Sequence, residues 1–337
     1  MASTLRFGSA SDIGKVRASN QDQLLVAEPL FAVADGMGGH AAGEVASLTA
    51  VEALRAAFAK ERTVAGLVDA ARAANRSVWE KAEHDADLRG MGTTLVAVAL
   101  VTDEGEERIA VVHVGDSRVY LLRQGELEQL TSDHSLVQEL VDDGQLSEAD
   151  ALTHPQRHVL TRALGIEPDV TVDSLQVLPF KGDRFLLCSD GLSRELSDAQ
   201  VASILRRLAS PQDAAKELVA EARANGGNDN ITVVIVDVVD DGDKAAAASA
   251  ALADDPGLVI PSEMGKSPAA SAKGSGGGGE GRGRLRSSRP AGAAKNRAVT
   301  LRVVGFVGLV AVLLGGAVAA IGWYARGSYF VGIDGGG

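Results

Sequence analysis

Cysteine is nearly absent from this chain of 337 residues: Cys188 stands alone. A lone cysteine excludes an internal disulfide and fits a reducing compartment. It also removes thiolate clusters as metal ligands. Histidine offers no substitute, because His154 and His158, four apart, are separated by Pro155, which breaks any helix that could put them on one face. There is no glycine-rich P-loop signature, so a Walker-type nucleotide cradle is excluded. Positive charge is in deficit, with 33 Lys and Arg against 45 Asp and Glu and a net charge of −12. Nucleic acid is therefore not expected as a partner of the whole chain. The opening residues Met1 to Arg6 carry no apolar h-region, so no cleavable leader is expected.

What remains is ample for one domain of about 240 residues with a full core. Apolar runs at Leu24–Val26 and Leu30–Ala34 read as strands, parted by the turn signal Glu28-Pro29. Ala46, Leu48, Val51, Leu54 and Phe58 recur at helical spacing, as do Val64, Leu67, Val68 and Ala71. Thr93–Val101, Ile109–Val114 and Val119–Leu122 predict an antiparallel meander. Residues 133–166 read as a small polar insertion with short helices near Leu136–Val141 and after Ser147. Val170–Leu178, Phe185–Ser189 and Ile231–Val239 predict further strands. Ser197 and Pro211 open two helices between the last pair.

Beyond Asp240 the patterning stops. Residues 241–302 are rich in Ala, Gly, Ser and Pro, cannot bury enough apolar surface to fold, and are expected to form a flexible linker. Its second half is basic, from Arg282 to Arg302. Val303–Ala325 carries no charge and is long enough for one transmembrane helix, with Trp323-Tyr324 suited to an interface belt. Positive charge crowds its N-terminal side, which predicts a single-pass protein whose residues 1–302 face the cytoplasm and whose residues 326–337 form a short outer tail.

The chemistry lies in carboxylates at strand ends. Ala34-Asp35-Gly36, Val114-Gly115-Asp116 and Ser189-Asp190-Gly191 repeat one pattern, Asp229 precedes a strand in a Gly-Asn turn, and Asp22 sits in an early polar loop. An Asp closing an apolar strand is costly unless something pairs with it. Several brought to one edge repel one another unless cations compensate. Oxygen ligands alone favour hard ions, Mg²⁺ or Mn²⁺.

Asn20-Gln21-Asp22, Ala34-Asp35-Gly36-Met37-Gly38-Gly39-His40, Gly92-Thr93-Thr94, Val114-Gly115-Asp116-Ser117-Arg118, Asp133-His134-Ser135, Ser189-Asp190-Gly191 and Gly227-Asn228-Asp229-Asn230 occur in that order. Over about residues 5–238 the chain resembles the metal-dependent serine/threonine protein phosphatases of the protein phosphatase 2C family, in their bacterial membrane-anchored form. The resemblance implies an α+β fold, a four-layer αββα sandwich of two antiparallel sheets flanked by helices, with metals at one end. It implies two Mn²⁺ or Mg²⁺ ions held by Asp35, the Gly36 carbonyl, Asp190 and Asp229, with Asp22 acting in an outer shell or through water. Asp116 would serve a third, weaker ion. Arg17 would grip the substrate phosphate, and His40 would protonate the leaving oxygen. A metal-bridged hydroxide would attack phosphorus in line. The family often carries Glu where Gln21 stands, and Gln adds no negative charge there. Phosphorylated proteins, membrane Ser/Thr kinases among them, would be the partners of a monomeric catalytic domain. The competing readings are a catalytically silent, membrane-tethered phosphoprotein-binding module of the same fold, and a two-metal nuclease, which the acidic balance disfavours.

Overall fold

The computed structural model describes residues 3–38, 42–103 and 105–240. The expected linker, membrane span and outer tail lie outside these residues, and so does His40. Among the described residues no helix is long and apolar enough to cross a membrane.

Among the described residues eleven strands and seven α-helices follow in chain order: β1 (Thr4–Asp12), β2 (Asp22–Ala27), β3 (Leu30–Met37), α1 (Ala42–Phe58), α2 (Val64–His84), β4 (Gly92–Thr93), β5 (Leu95–Asp103), β6 (Glu106–Val114), β7 (Arg118–Arg123), β8 (Glu126–Gln129), α3 (Leu136–Asp142), α4 (Glu148–Ala151), β9 (Asp173–Val177), β10 (Arg184–Cys188), α5 (Asp190–Ser193), α6 (Asp198–Arg207), α7 (Pro211–Asn225) and β11 (Ile231–Asp240). One sheet has the order β1-β11-β10-β7-β8, the other β2-β3-β5-β6-β9, with β4 paired to β3. Every pairing is antiparallel.

Alternation along the strands builds the layers, because successive side chains face opposite sides of a sheet. Phe31 and Val33, Val96 and Val98, Phe185 and Leu187, and Val234 and Val236 fill the space between the sheets. Their neighbours point outward. Ala32, Ala34 and Ala97 meet α1 and α2 on one side. Leu186, Cys188, Val233 and Ile235 meet α6 and α7 on the other. Central strands covered on both faces read as unbroken apolar runs for this reason. Cys188 is fully buried, and burial pushes its thiol up to about 12, so it is a packed apolar residue and not a nucleophile.

The helix starts carry the expected caps. Ser147 accepts from the Asp150 N–H at 3.1 Å. Gln200 reaches back to accept the Ser197 N–H at 3.0 Å. Pro211 stands in the first turn of α7 behind Ser210.

The predicted meander needs correction. β5 and β6 form a hairpin, but β7 leaves their sheet and pairs with β8 and β10 in the other. The crossing falls at Gly115, whose φ of +110° and whose close approach to Thr94 leave no room for a Cβ. Two histidines clamp this glycine. Its carbonyl accepts from His113 Nε2 at 2.8 Å and from the His134 N–H at 2.8 Å, and its own N–H donates to His134 Nδ1 at 3.1 Å. His134 Nε2 must then carry the proton that it donates to Asp173 Oδ2 at 3.1 Å. With those nitrogens protonated, the His113, His134 and Asp173 group acts as a clamp and not as a set of metal ligands. Burial favours the neutral rings, taking His113 down to about 3 and lowering His134 as well.

Candidate metal centre

The inter-sheet core ends in polar residues that continue its parity. Along β3, Phe31 and Val33 face inward, and Asp35 follows on the same side. Asp22 lies directly opposite Asp35 in the antiparallel register of β2 and β3. Asp22 thus sits at the first position of a strand and not in a polar loop, and it is buried. Ser189 follows Leu187 with inward parity and donates to Asp22 Oδ2 at 2.8 Å. The residue after it, Asp190, does not simply close a turn: it opens the short helix α5, and it too is buried.

Asp35 is fixed through its backbone. Its N–H donates to Thr94 Oγ1 at 3.0 Å, its carbonyl accepts the Thr94 N–H at 2.9 Å, and Thr94 Oγ1 meets Ser117 Oγ at 2.7 Å. This links the end of β3 to the Gly115-Asp116-Ser117 crossing. Gly36 must be glycine because a Cβ there would lie 2.0 Å from the Gly43 carbonyl oxygen and 2.6 Å from that of Gln21.

Asn230 pins the remaining wall. Its Oδ1 accepts the Gln21 N–H at 2.8 Å, and its Nδ2 donates to the carbonyls of Ile13 and Ser19, both at 3.0 Å. Asp229 and the loop that carries Arg17 are thereby held together. Arg17 Nη2 donates to Asp229 Oδ2 at 2.6 Å, and that bond raises the guanidinium pKa. Arg194, one helical turn beyond Asp190, is ion-paired to Asp190, lies 3.2 Å from Asp116 Oδ2 and 3.9 Å from Asp229 Oδ2.

Asp22, Asp35, Asp116, Asp190 and Asp229 therefore converge on one place. Desolvation, then Asp22, Asp190, Asp116 and Asp229 in turn, lift the Asp35 carboxyl well above the usual carboxylate range. Asp190 is lifted to about 8 by burial first and Asp116 second. Asp22 is lifted to about 6 by burial, against the hydrogen bonds it accepts. Asp116 is raised by burial, against Arg194. Two buried oxygens, Asp22 Oδ1 and Asp190 Oδ1, have no hydrogen-bond partner. Mutually repelling oxygen ligands with orphaned lone pairs fit a pair of hard divalent cations. Sequence reasoning singled out these five aspartates and Arg17, quoted Thr94 and Ser189 within motifs without giving them a role, and missed Arg194. The i, i+4 spacing of Asp190 and Arg194 becomes a signal only once Asp190 is known to open a helix.

The chain matches the protein phosphatase 2C family model over residues 15–223. It is 39% identical over 332 residues to the serine/threonine protein phosphatase PstP of Mycobacterium tuberculosis, a match covering 95% of this chain and 62% of that protein. It is 41% identical over 241 residues to the serine/threonine phosphatase stp of Listeria innocua, covering 67% of this chain and 93% of the relative. The crystal structure of the PstP catalytic domain in complex with two manganese ions superposes with a TM-score of 0.62 at 42% identity, covering 70% of this chain and 99% of that one. A match over most of the folded residues, with relatives near 40% identity, means that this chain belongs to the protein phosphatase 2C family.

Proposed function

We propose that the protein is a metal-dependent serine/threonine protein phosphatase, hydrolysing phosphoserine and phosphothreonine monoesters. The observation that carries this reading is the convergence of five aspartates on two orphaned, buried carboxylate oxygens. Asp35, the Gly36 carbonyl, Asp190 and Asp229 would hold two Mn²⁺ or Mg²⁺ ions, with Asp22 orienting from behind. When bound, such ions acidify water and offset the charge of a phosphoryl group. The chain's own residues do the rest. Arg17, exposed at the mouth and already on a carboxylate, would bind the phosphate through its fork of donors. Asp229 would hand it over on substrate arrival. His40 would donate a proton to the departing serine or threonine oxygen.

Relatives named as Ser/Thr phosphatases support the substrate class. The apolar run 303–325 with its basic flank supports a membrane-anchored enzyme with its catalytic side in the cytoplasm, and on that reading it would oppose membrane Ser/Thr kinases as a monomeric catalytic domain. Manganese-dependent hydrolysis of p-nitrophenyl phosphate and of a phosphothreonine peptide by the full chain tests the proposal. Asp35→Asn and Asp229→Asn should each lower the rate by ~100-fold or more, on the scale of losing a strong electrostatic stabiliser. Absence of hydrolysis with both Mn²⁺ and Mg²⁺, or variants as active as the parent, would overturn it.

A further inference from the structure

Among the described residues two arginines meet the carboxylate cluster: Arg17, from the loop before β2, and Arg194, which is partly exposed and is shared among several of the carboxylates. Arg194 caps the C-terminal end of α5, with its backbone N–H on the Asp190 carbonyl, and its guanidinium reaches carboxylates from three separate parts of the chain. Asp190 comes from the start of α5, Asp116 from the crossing between the sheets, and Asp229 from the turn before β11. The two oxygens of Asp190 are thus divided. Oδ2 is ion-paired to Arg194, whereas Oδ1, buried, has no partner. Asp116 turns Oδ2 toward the same arginine at 3.2 Å.

From this division we infer that the guanidinium of Arg194 stands in place of a third divalent cation between Asp116 and Asp190. The inference rests on the two-metal reading above and makes it more specific. A divalent ion at Asp116 needs several oxygens around it. Arg194 takes one from each of the two carboxylates nearest that spot and sets a fixed positive charge there. It leaves Asp190 Oδ1, Asp35, the Gly36 carbonyl and Asp229 for the two ions. The protein therefore takes up two divalent ions and resists a third, and its Asp116 side is neutralised by a tethered monocation that dilution cannot remove.

Titration of metal-free full-length protein with Mn²⁺, read as free Mn²⁺ by electron paramagnetic resonance, tests this without recourse to activity. The parent should saturate at two ions. Arg194→Ala and Arg194→Gln should each take up a third, at least ~10-fold tighter than any further ion the parent binds, a change of ~1.4 kcal/mol. Arg194→Lys should keep two. Adding Asp116→Ala to Arg194→Gln should abolish the third ion again. Should the alanine variant not fold, the glutamine variant, similar in reach and polar, decides. A parent that binds three ions of similar affinity, or variants whose stoichiometry and affinities match the parent's, would overturn the inference while leaving the two-metal reading in place. A parent that binds no Mn²⁺ at all would instead remove the two-metal reading and this inference with it.

Discussion

Arg17 and Arg194 show how differently two arginines on the same carboxylates can act. Arg194 is shared among three aspartates with 31% of its side chain exposed, whereas half of the Arg17 side chain is exposed, and it holds Asp229 alone. An exposed fork held by one carboxylate can exchange that partner for a phosphate at little cost, since both are planar or tetrahedral oxygen acceptors of like charge. Arg17→Ala should lower kcat/KM for a phosphopeptide by ~30-fold, or ~2 kcal/mol, the worth of a hydrogen-bonded charge. Arg17→Lys should recover only part of this, because an ammonium lacks the paired donors. Steady-state kinetics at saturating Mn²⁺ checks both, and a Lys variant equal to the parent would mean that only charge matters there. At this scale the sequence was informative where physics forbids an innocent explanation. A carboxylate that closes an apolar strand, as Asp35 and Asp190 do, must be compensated, and its neighbours are then sought. Arg194 escaped notice because nothing in the linear order says that Asp190 begins a helix, and without that helix the i, i+4 relation has no meaning.

Among the elements, the ends of strands matter more than their middles. β3 delivers Asp35 and Gly36, and α1 begins close behind, with the Gly43 carbonyl against the Gly36 Cα. Gly36→Ala forces these apart. Overpacking of this kind costs ~1–3 kcal/mol, so the urea midpoint should fall with an unchanged m-value. Mn²⁺ affinity should fall too, because the Gly36 carbonyl and Asp35 move together. A Gly36→Ala protein with parental Mn²⁺ affinity would show that the carbonyl is not a ligand. A different junction is structural alone. Arg184, buried, pairs with Asp237 on β11 at 2.6 Å and donates to the carbonyls of Leu205, Leu208 and Ala209 at the end of α6. Arg184→Ala removes the donor from the Leu205 and Leu208 carbonyls and leaves the buried Asp237 and the Ala209 carbonyl to the exposed Arg6 alone. It should destabilise by ~3–5 kcal/mol in chemical denaturation while leaving the activity per folded molecule intact. Element positions were readable because two-fold and 3.6-fold apolar periods differ. The departure of β7 from its neighbours was not, since Gly115 looks like any turn glycine until the Thr94 side chain and two histidines are placed around it.

For the whole molecule, the partition of strands into two sheets depends on contacts that no local pattern encodes. β1 at one end of the domain pairs with β11 at the other, and β10 lies between β11 and β7. The sandwich was therefore legible only through the ordered set of motifs. The same assembly drives acidic side chains from the ends of both sheets into one small volume, which ties stability to pH and to metal. Asp22 and Asp190 hold their protons to about 6 and about 8, far above an unfolded aspartate near 4. Between pH 4 and 8 the metal-free folded state thus binds more protons than the unfolded state, so its stability falls as pH rises through that window. At ~1.4 kcal/mol per pKa unit this amounts to several kcal/mol, and at ~2–4 °C per kcal/mol the melting temperature in EDTA should drop by ~10 °C from pH 5 to pH 8. Mn²⁺ must compete with those protons for the same oxygens, so the stabilisation it gives should have the opposite slope, small at pH 5 and largest at pH 8. Asp190→Asn separates the two effects: it should flatten the metal-free profile, raise the melting temperature in EDTA at pH 8, and forfeit most of the protection by Mn²⁺. Melting curves across pH with and without Mn²⁺ read this directly, and an Asp190→Asn protein with the parent's slope in EDTA would place the pH dependence outside the carboxylate cluster.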